Sequence, residues 1–289
     1  MAKERNIIMD YLLLISVIIL LPLQSIIKKP FTDKAGGNGS FTFTAILSLA
    51  AVVFFVVTGK GFEWNSGYLP YAIGFAASYI AANVFAVLAI ATGSVSLSSL
   101  IIKFSLLLPT AYGLLLGEGV SAFFIVGIAL LIVSMLLINK PEKDEKFSFK
   151  WLIFALLSFV GNGMCSITQK MHQQNFGELY KNEFMIVAVG ISFLVSVVIA
   201  LAVERKDVVK YSKIGLIPAA VCGLANGIVN LFVMILNNRI DASIMFPLIS
   251  AGGIIIIYLF SKFFYKEQLT KYQTAGLLFG IASVVFLNL

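Results

Sequence analysis

Charged residues are scarce in this 289-residue sequence, and their scarcity limits what the chain is. Only 12% of the residues are Asp, Glu, Lys or Arg, whereas 60% are hydrophobic. A soluble domain carries about 25% charged residues. The composition therefore excludes an ordinary soluble domain and predicts an integral membrane protein, with room for about ten spans of roughly 20 residues each.

Chemically reactive residues are also few. The chain has one histidine, His172, and two cysteines, Cys165 and Cys222. None of them has the spacing of a metal site or a disulfide, and no Gly-rich phosphate loop is present. We therefore expect no catalytic residue, no metal and no cofactor, and we expect neither an enzyme nor an ATP-driven pump.

The net charge of +7 comes mainly from lysines between the apolar segments. Such residues set orientation and contact anionic lipid, so nucleic acid is not an expected partner. The expected partners are a lipid bilayer and a small-molecule substrate. We predict a multi-pass protein of a cell membrane, of the bacterial plasma-membrane kind, as a monomer or a homodimer.

Ten apolar segments are predicted to be transmembrane helices, because a lipid-exposed backbone must satisfy its own hydrogen bonds. They cover about residues 8–27, 41–58, 68–92, 95–116, 120–139, 150–171, 184–203, 214–237, 242–262 and 271–288. A polar linker, residues 140–149, separates a first five-helix repeat, residues 1–139, from a second, residues 150–289.

A pattern that contains a glutamate occurs twice in the chain. The four residues Ser94, Glu118, Gly127 and Ser134 each lie 149 positions before Ser243, Glu267, Gly276 and Ser283. Ser25 and Lys29 recur as Ser166 and Lys170 at an offset of 141, and Asn83 recurs as Asn230 at 147. The order and smooth drift of these offsets predict a duplication. With five spans in each half, the second half enters the membrane from the opposite side, which permits alternating access.

Ten spans, a five-plus-five duplication and a glutamate that closes the fourth and ninth spans resemble the drug/metabolite transporter superfamily, in its EamA-type branch. The strongest local matches are Gly117-Glu118 with Gly127 and Lys266-Glu267 with Gly276. The resemblance implies an all-α integral membrane fold of ten transmembrane helices in two inverted five-helix repeats. It implies transport without implying a substrate. It also implies cytoplasmic termini, whereas the distribution of lysines and arginines favours termini outside.

Lys103 is the basic residue that lies deepest within a predicted span. It shares a helical face with Ser99 and lies about 10 Å along the axis of the fourth span. A charge in the membrane costs several kcal/mol and usually faces a cavity or a partner. Two interpretations stay open: a cavity-lining cation that meets an anionic or zwitterionic substrate, and a lysine that snorkels to the nearer interface.

The other candidate substrate-binding residues are polar side chains on faces of the predicted spans. They are Gln24, Asn83, Asn162, Gln169, Asn226, Asn230 and Ser99. Such side chains either line a wet cavity or connect helices by hydrogen bonds worth about 0.6–2 kcal/mol each. The predicted cavity lies between the halves and is lined by spans 1, 3, 4, 6, 8 and 9.

The repeated glutamates have a predicted structural role. Glu118 and Glu267 each follow a span, where a carboxylate complements the positive start of the next helix. Gly127 and Gly276 belong to small-residue faces that suit close helix packing, within the chain or in a dimer.

The predicted function is a secondary transporter that moves a small polar metabolite, anionic or zwitterionic, by alternating access. Export of amphipathic or cationic compounds is the alternative. A membrane-embedded lipid-modifying protein or a scaffold is a third interpretation, which would need a reactive cluster or leave the duplication unexplained.

Overall fold

A computed structural model describes most of the chain, namely residues 2–59, 61–92, 98, 101–102, 104–118, 122–138, 149–264 and 271–287. These residues are helical almost throughout, and no strand occurs among them. The helices are α1 (Ala2–Ala35), α2 (Ser40–Thr58), α3 (Leu69–Thr92), α4 (Leu107–Leu115), α5 (Ala122–Ile138), α6 (Phe149–Phe176), α7 (Lys181–Val203), α8 (Val208–Leu236), α9 (Ala242–Phe264) and α10 (Lys271–Leu287).

Among the described residues, six helices are long and apolar enough to cross a membrane: α1, α2, α3, α6, α7 and α8. Shorter apolar stretches lie in α5, α9 and α10. Outward side chains such as Val198 and Ile217 are apolar and exposed, as lipid-facing positions require. The all-helical membrane fold is confirmed, and the count of ten spans stays a prediction.

The first helix is longer than the sequence suggested. The span was expected to end near residue 27, because two lysines follow. The helix instead continues to Ala35 and contains Pro22 and Pro30. It continues because Lys28 has a hydrogen-bond partner inside the bundle, and because Phe31 and Ala35 are buried in the apolar core.

Helix packing joins the first half of the chain to the second. α3 packs on α6 and α7, and α1 packs on α8 and α9. α2 packs on α7 and α8, and α4 packs on α6 and α9. α5 packs on α10. Most of the interior therefore lies between the halves rather than within either of them.

Two apolar clusters fill this interior. The larger cluster includes Phe31, Phe43, Phe75 and Phe184 and joins α1, α2, α3, α7 and α8. The smaller cluster includes Val17, Val229, Phe246 and Ile249 and joins α1, α8 and α9. The polar residues discussed below lie between α1, α3, α6, α8 and α9, so the apolar clusters hold them in place.

Glycine allows one close approach between the halves. A Cβ atom at Gly223 of α8 would overlap the carbonyl oxygen of Leu47 in α2 and would also meet the Ala50 side chain. Backbone cannot move aside as a flexible side chain does, so this helix contact depends on the missing side chain.

We predict that Gly223→Ala lowers the thermal stability of the purified protein. Overpacking of this kind costs about 1–3 kcal/mol. Gly190→Ala is the matched control, because a Cβ at Gly190 of α7 meets nothing within 4 Å and alanine is the better helix former. Thermal unfolding in detergent measures both variants, and equal midpoints would contradict the packing argument.

Candidate substrate cavity

A cavity lies between the two halves of the chain. Its walls come from α1, α3, α6, α8 and α9, together with Ile102, Ser105 and Leu106 just before α4. These are the spans that the sequence predicted. Its volume of about 160 Å³ exceeds what one water needs, so the cavity has room for several waters or a small molecule.

Six of the eight candidate substrate-binding residues line this cavity. They are Gln24, Asn83, Asn162, Gln169, Asn226 and Asn230. The other two, Lys103 and Ser99, lie outside the residues that the structure describes. Sequence positions scattered over two hundred residues are thus brought to one place by helix packing.

Three side chains in the cavity wall are joined in series by hydrogen bonds. The Tyr79 hydroxyl on α3 donates to Asn226 Oδ1 on α8 at 2.8 Å. Asn226 Nδ2 in turn donates to Gln24 Oε1 on α1 at 3.1 Å. Each side chain therefore has a partner from another helix, which fixes the three helices relative to one another.

Two asparagines next to these side chains, Asn83 and Asn230, make equivalent hydrogen bonds to their own helices. Asn83 Nδ2 donates to the carbonyl oxygen of Tyr79, four residues earlier, at 3.0 Å. Asn230 Nδ2 donates to the carbonyl oxygen of Asn226, also four residues earlier, at 2.8 Å. Because both amide groups are held by their own helices, both Oδ1 atoms are presented as acceptors.

Each of these Oδ1 atoms accepts one hydrogen bond from the helix opposite. Lys28 Nζ on α1 donates to Asn83 Oδ1 at 2.9 Å. Gln169 Nε2 on α6 donates to Asn230 Oδ1 at 2.7 Å. The two donors are 141 positions apart and the two acceptors 147, the same offsets that the repeat showed.

Sequence reasoning missed Lys28. It was placed in a loop after the first span, yet it lies within α1, is 8% exposed and lines the cavity. One signal was present in the sequence: Lys28 precedes the candidate residue Gln169 by the repeat offset of 141. Tyr79, Ser105 and Ser250 also line the cavity and were not among the predicted residues.

Glu118 binds the start of a helix in the other half of the chain. Its Oε2 accepts the backbone N–H of Ser243 at 2.8 Å, in the first turn of α9. Its Oε1 forms an ion pair with Lys170 Nζ at 3.0 Å. This contact joins Glu118 to α9 of the other half, because α4 packs against α9, and the expectation that it complements α5 stays a prediction, since residues 119–121 lie outside the described residues.

The Lys170–Glu118 pair is sheltered from solvent. The two side chains are 9% and 11% exposed, and Lys170 Nζ also donates to the carbonyl oxygen of Asn237 at 3.1 Å. Burial alone would raise the pKa of Glu118. Hydrogen bonds from the Ser243 N–H and from Lys170 outweigh it, so the pKa lies below its ordinary value and the carboxylate stays ionised.

The remaining predicted structural residues pack α5 against α10. Gly127 and Gly276 are both buried, and the Ser134 hydroxyl donates to the carbonyl oxygen of Gly276 at 2.6 Å. This small-residue face is thus used within the chain. Glu267 lies outside the described residues.

No metal centre accompanies the cavity in the part of the chain that is described, where no three His, Cys, Asp or Glu residues come together. His172 is fully buried and stacks on Phe184 with a centroid distance of 4.4 Å. The described residues that line the cavity carry amides, hydroxyls, a thiol and one lysine among apolar side chains, a lining that can bind a polar solute.

The sequence model of the EamA-like transporter family matches residues 149–289. The match covers the second half of the chain. Members of the EamA-like family are transporters rather than enzymes. The match confirms the resemblance noted in the sequence. Together with the apolar helices, it shows that the chain is a multi-pass membrane protein.

Structural similarity extends over both halves. A solved structure titled "Crystal structure of protein" superposes with a TM-score of 0.74, covering 96% of this chain and 95% of its own. At 11% sequence identity this likeness shows the fold alone. No curated protein sequence matches the chain. Neither the EamA-like match nor the shared fold identifies the substrate.

We predict that Glu118→Gln destabilises the protein by about 3 kcal/mol, because removing one charge leaves Lys170 buried without its counter-ion. Glu178→Gln is the control, since Glu178 is 53% exposed in its pair with Lys181 and such a pair contributes about 0.2–1 kcal/mol. Thermal unfolding compares the two variants. Similar small shifts for both would show that the buried pair is not structurally important.

Proposed function

We propose that the protein is a secondary transporter that moves a small polar metabolite across a cell membrane by alternating access. The observation that carries the proposal is the polar cavity between the halves, with equivalent contacts on its two sides. A cavity enclosed by two matched units is what a transporter needs in order to expose one site to either side of the membrane in turn.

Helix packing supports two inverted repeats. If α1 to α5 correspond to α6 to α10, exchanging the halves turns several of the contacts between them into other observed contacts. The α3–α6 contact becomes α8–α1, and α2–α8 becomes α7–α3. The α1–α9 contact becomes α6–α4. The proposed units are residues 1–139 and 150–289, joined by the linker 140–149.

Side-chain contacts follow the same exchange. Cys222 Sγ lies 3.6 Å from the carbonyl oxygen of Gln24, and Cys165 Sγ lies 4.0 Å from that of Phe75. Gln24 and Cys165 are 141 positions apart, and Phe75 and Cys222 are 147 apart. These are the offsets found for Lys28 with Gln169 and for Asn83 with Asn230.

The contact between Tyr79 and Asn226 gives the position of the proposed two-fold axis. These residues are 147 positions apart, so each is the repeat counterpart of the other. A residue touches its own counterpart only near the axis that relates the repeats. The axis therefore passes through the cavity wall, as expected for a binding site shared by both units.

The Lys170–Glu118 pair closes one end of the cavity in this proposal. Gln169 lines the cavity, and Lys170 follows it towards the end of α6. Asp10 near the start of α1 pairs with Arg239 at 2.7 Å, just beyond Asn237. The Lys170–Glu118 pair therefore lies on the same side of the membrane as the N-terminus, and it joins the first half of the chain to the second. Opening at that side requires the pair to separate.

The transport proposal is tested by flux. We expect purified protein in proteoliposomes to give saturable uptake of at least one solute from a panel of sugars, nucleosides, amines, carboxylates and phosphate esters. Protein-free liposomes give the background. Absence of protein-dependent uptake for the whole panel would contradict transport and favour a scaffold.

Alternating access has its own test, for which Cys165 is a natural reporter because it lines the cavity. In a Cys222→Ser background, an impermeant maleimide is added from one side at a time. We expect Glu118→Gln to raise labelling of Cys165 several-fold from the N-terminal side alone, and Glu178→Gln to change neither side.

The side of the membrane from which maleimide labelling rises distinguishes between the possible explanations. General loosening of the fold would raise labelling from both sides, and a pair unrelated to closure would raise it from neither. Either result would contradict the proposed role of Glu118 and Lys170.

A further inference from the structure

We infer that Lys28 binds an anionic group of the substrate, and that the transported solute is a small organic anion with one negative charge. The inference rests on the proposed transport function and names the substrate class for the same cavity. It depends on three observations. Lys28 is buried, no carboxylate lies around it among the described residues, and its counterpart in the second half, Gln169, is uncharged.

Burial without a counter-ion makes Lys28 unusual. Its ammonium has three donor hydrogens, and within the described chain its one hydrogen bond goes to the neutral Asn83 Oδ1. No Asp or Glu is among the described residues that line the cavity. A buried charge is costly unless it is paired, so the site favours a ligand that brings a negative charge.

Lys170 provides a comparison within the same molecule. It is buried to the same degree as Lys28, with 7% against 8% exposure, and lies at the equivalent helix region of the second half. Lys170 has Glu118 at 3.0 Å and does not line the cavity. The chain therefore supplies a carboxylate to Lys170 outside the cavity, whereas Lys28 has none among the described residues.

The repeat shows that the charge of Lys28 is not needed for packing. Gln169 makes the equivalent hydrogen bond to Asn230 without any charge. A glutamine at position 28 would thus satisfy Asn83, and the positive charge must serve something else. Since the lining lysine faces a space large enough for a small molecule, that function is binding.

Asn83 acts as a positioning residue for this lysine. Its Nδ2 is held by the Tyr79 carbonyl oxygen, so its Oδ1 is fixed where it holds the Lys28 ammonium. The described lining contains a single cation, which balances one negative charge. A singly charged carboxylate fits this balance, whereas phosphate groups with two charges are usually bound by several cations.

The test uses small monocarboxylates, each paired with its neutral amide and with an amine of the same carbon skeleton. Thermal shift of the purified protein measures binding, and proteoliposome uptake measures transport. We expect at least one carboxylate to stabilise wild type and to be taken up in preference to its amide. Lys28→Gln should lower both effects at least about tenfold, the size of a lost charge-assisted hydrogen bond.

The variants separate charge from structure. Lys28→Gln restores the contact seen at Gln169, so its melting temperature without ligand should stay close to wild type. Lys28→Arg should keep the preference for carboxylate over amide. Lys34→Gln, which removes an exposed lysine at the end of the same helix, should change neither binding nor uptake.

Several outcomes would overturn the inference. They are an unchanged carboxylate preference in Lys28→Gln, loss of that preference in Lys103→Gln but not in Lys28→Gln, stronger effects of phosphate esters, and selective uptake of amines. Uptake of neutral or cationic solutes alone would leave the transport proposal standing and remove the anion. Carboxylate stabilisation that depends on Lys28 without any flux would keep the anion site and contradict transport.

Discussion

The cost of burying polar groups away from water governs the interior of this protein. In a membrane, each amide or ammonium needs a partner from the chain itself or from a solute. Around the cavity the chain meets this requirement with hydrogen bonds between helices, such as Tyr79 to Asn226 and Gln169 to Asn230, whereas the buried side-chain amide of Asn237 has no partner among the described residues. The helices are thus held by polar contacts at the cavity and by aromatic and aliphatic packing around it.

Much of the fold and of the cavity could be predicted because the predicted duplication allows one half of the sequence to be compared with the other. Asn83 and Asn230 were singled out as repeat counterparts, and both line the cavity. Helical spacing grouped Asn162 with Gln169 and Asn226 with Asn230 on single helix faces, and Gln24 was singled out as a polar residue at the end of its span. The cavity follows from these patterns because each helix presents the same face to its neighbours along most of its length.

Other features depend on tertiary contacts that no local pattern records. Lys28 follows an apolar segment, which usually marks the membrane interface, and only the position of Asn83 across the bundle explains why the helix continues. Glu118 binds Ser243, 125 positions further along the chain. Its partner could not be predicted from neighbouring residues, because α4 and α9 come together only through the packing of the two halves.

The contact between Tyr79 and Asn226 has a mechanical consequence. Where one rigid unit rotates against another, displacement grows with distance from the line about which they turn. If the proposed repeats turn about a line near this contact, its hydrogen bond changes little in length and persists through the proposed cycle. The Lys170–Glu118 pair lies beside Asn237, eleven positions beyond Asn226 at the end of α8, so the same proposed rotation would move its atoms further.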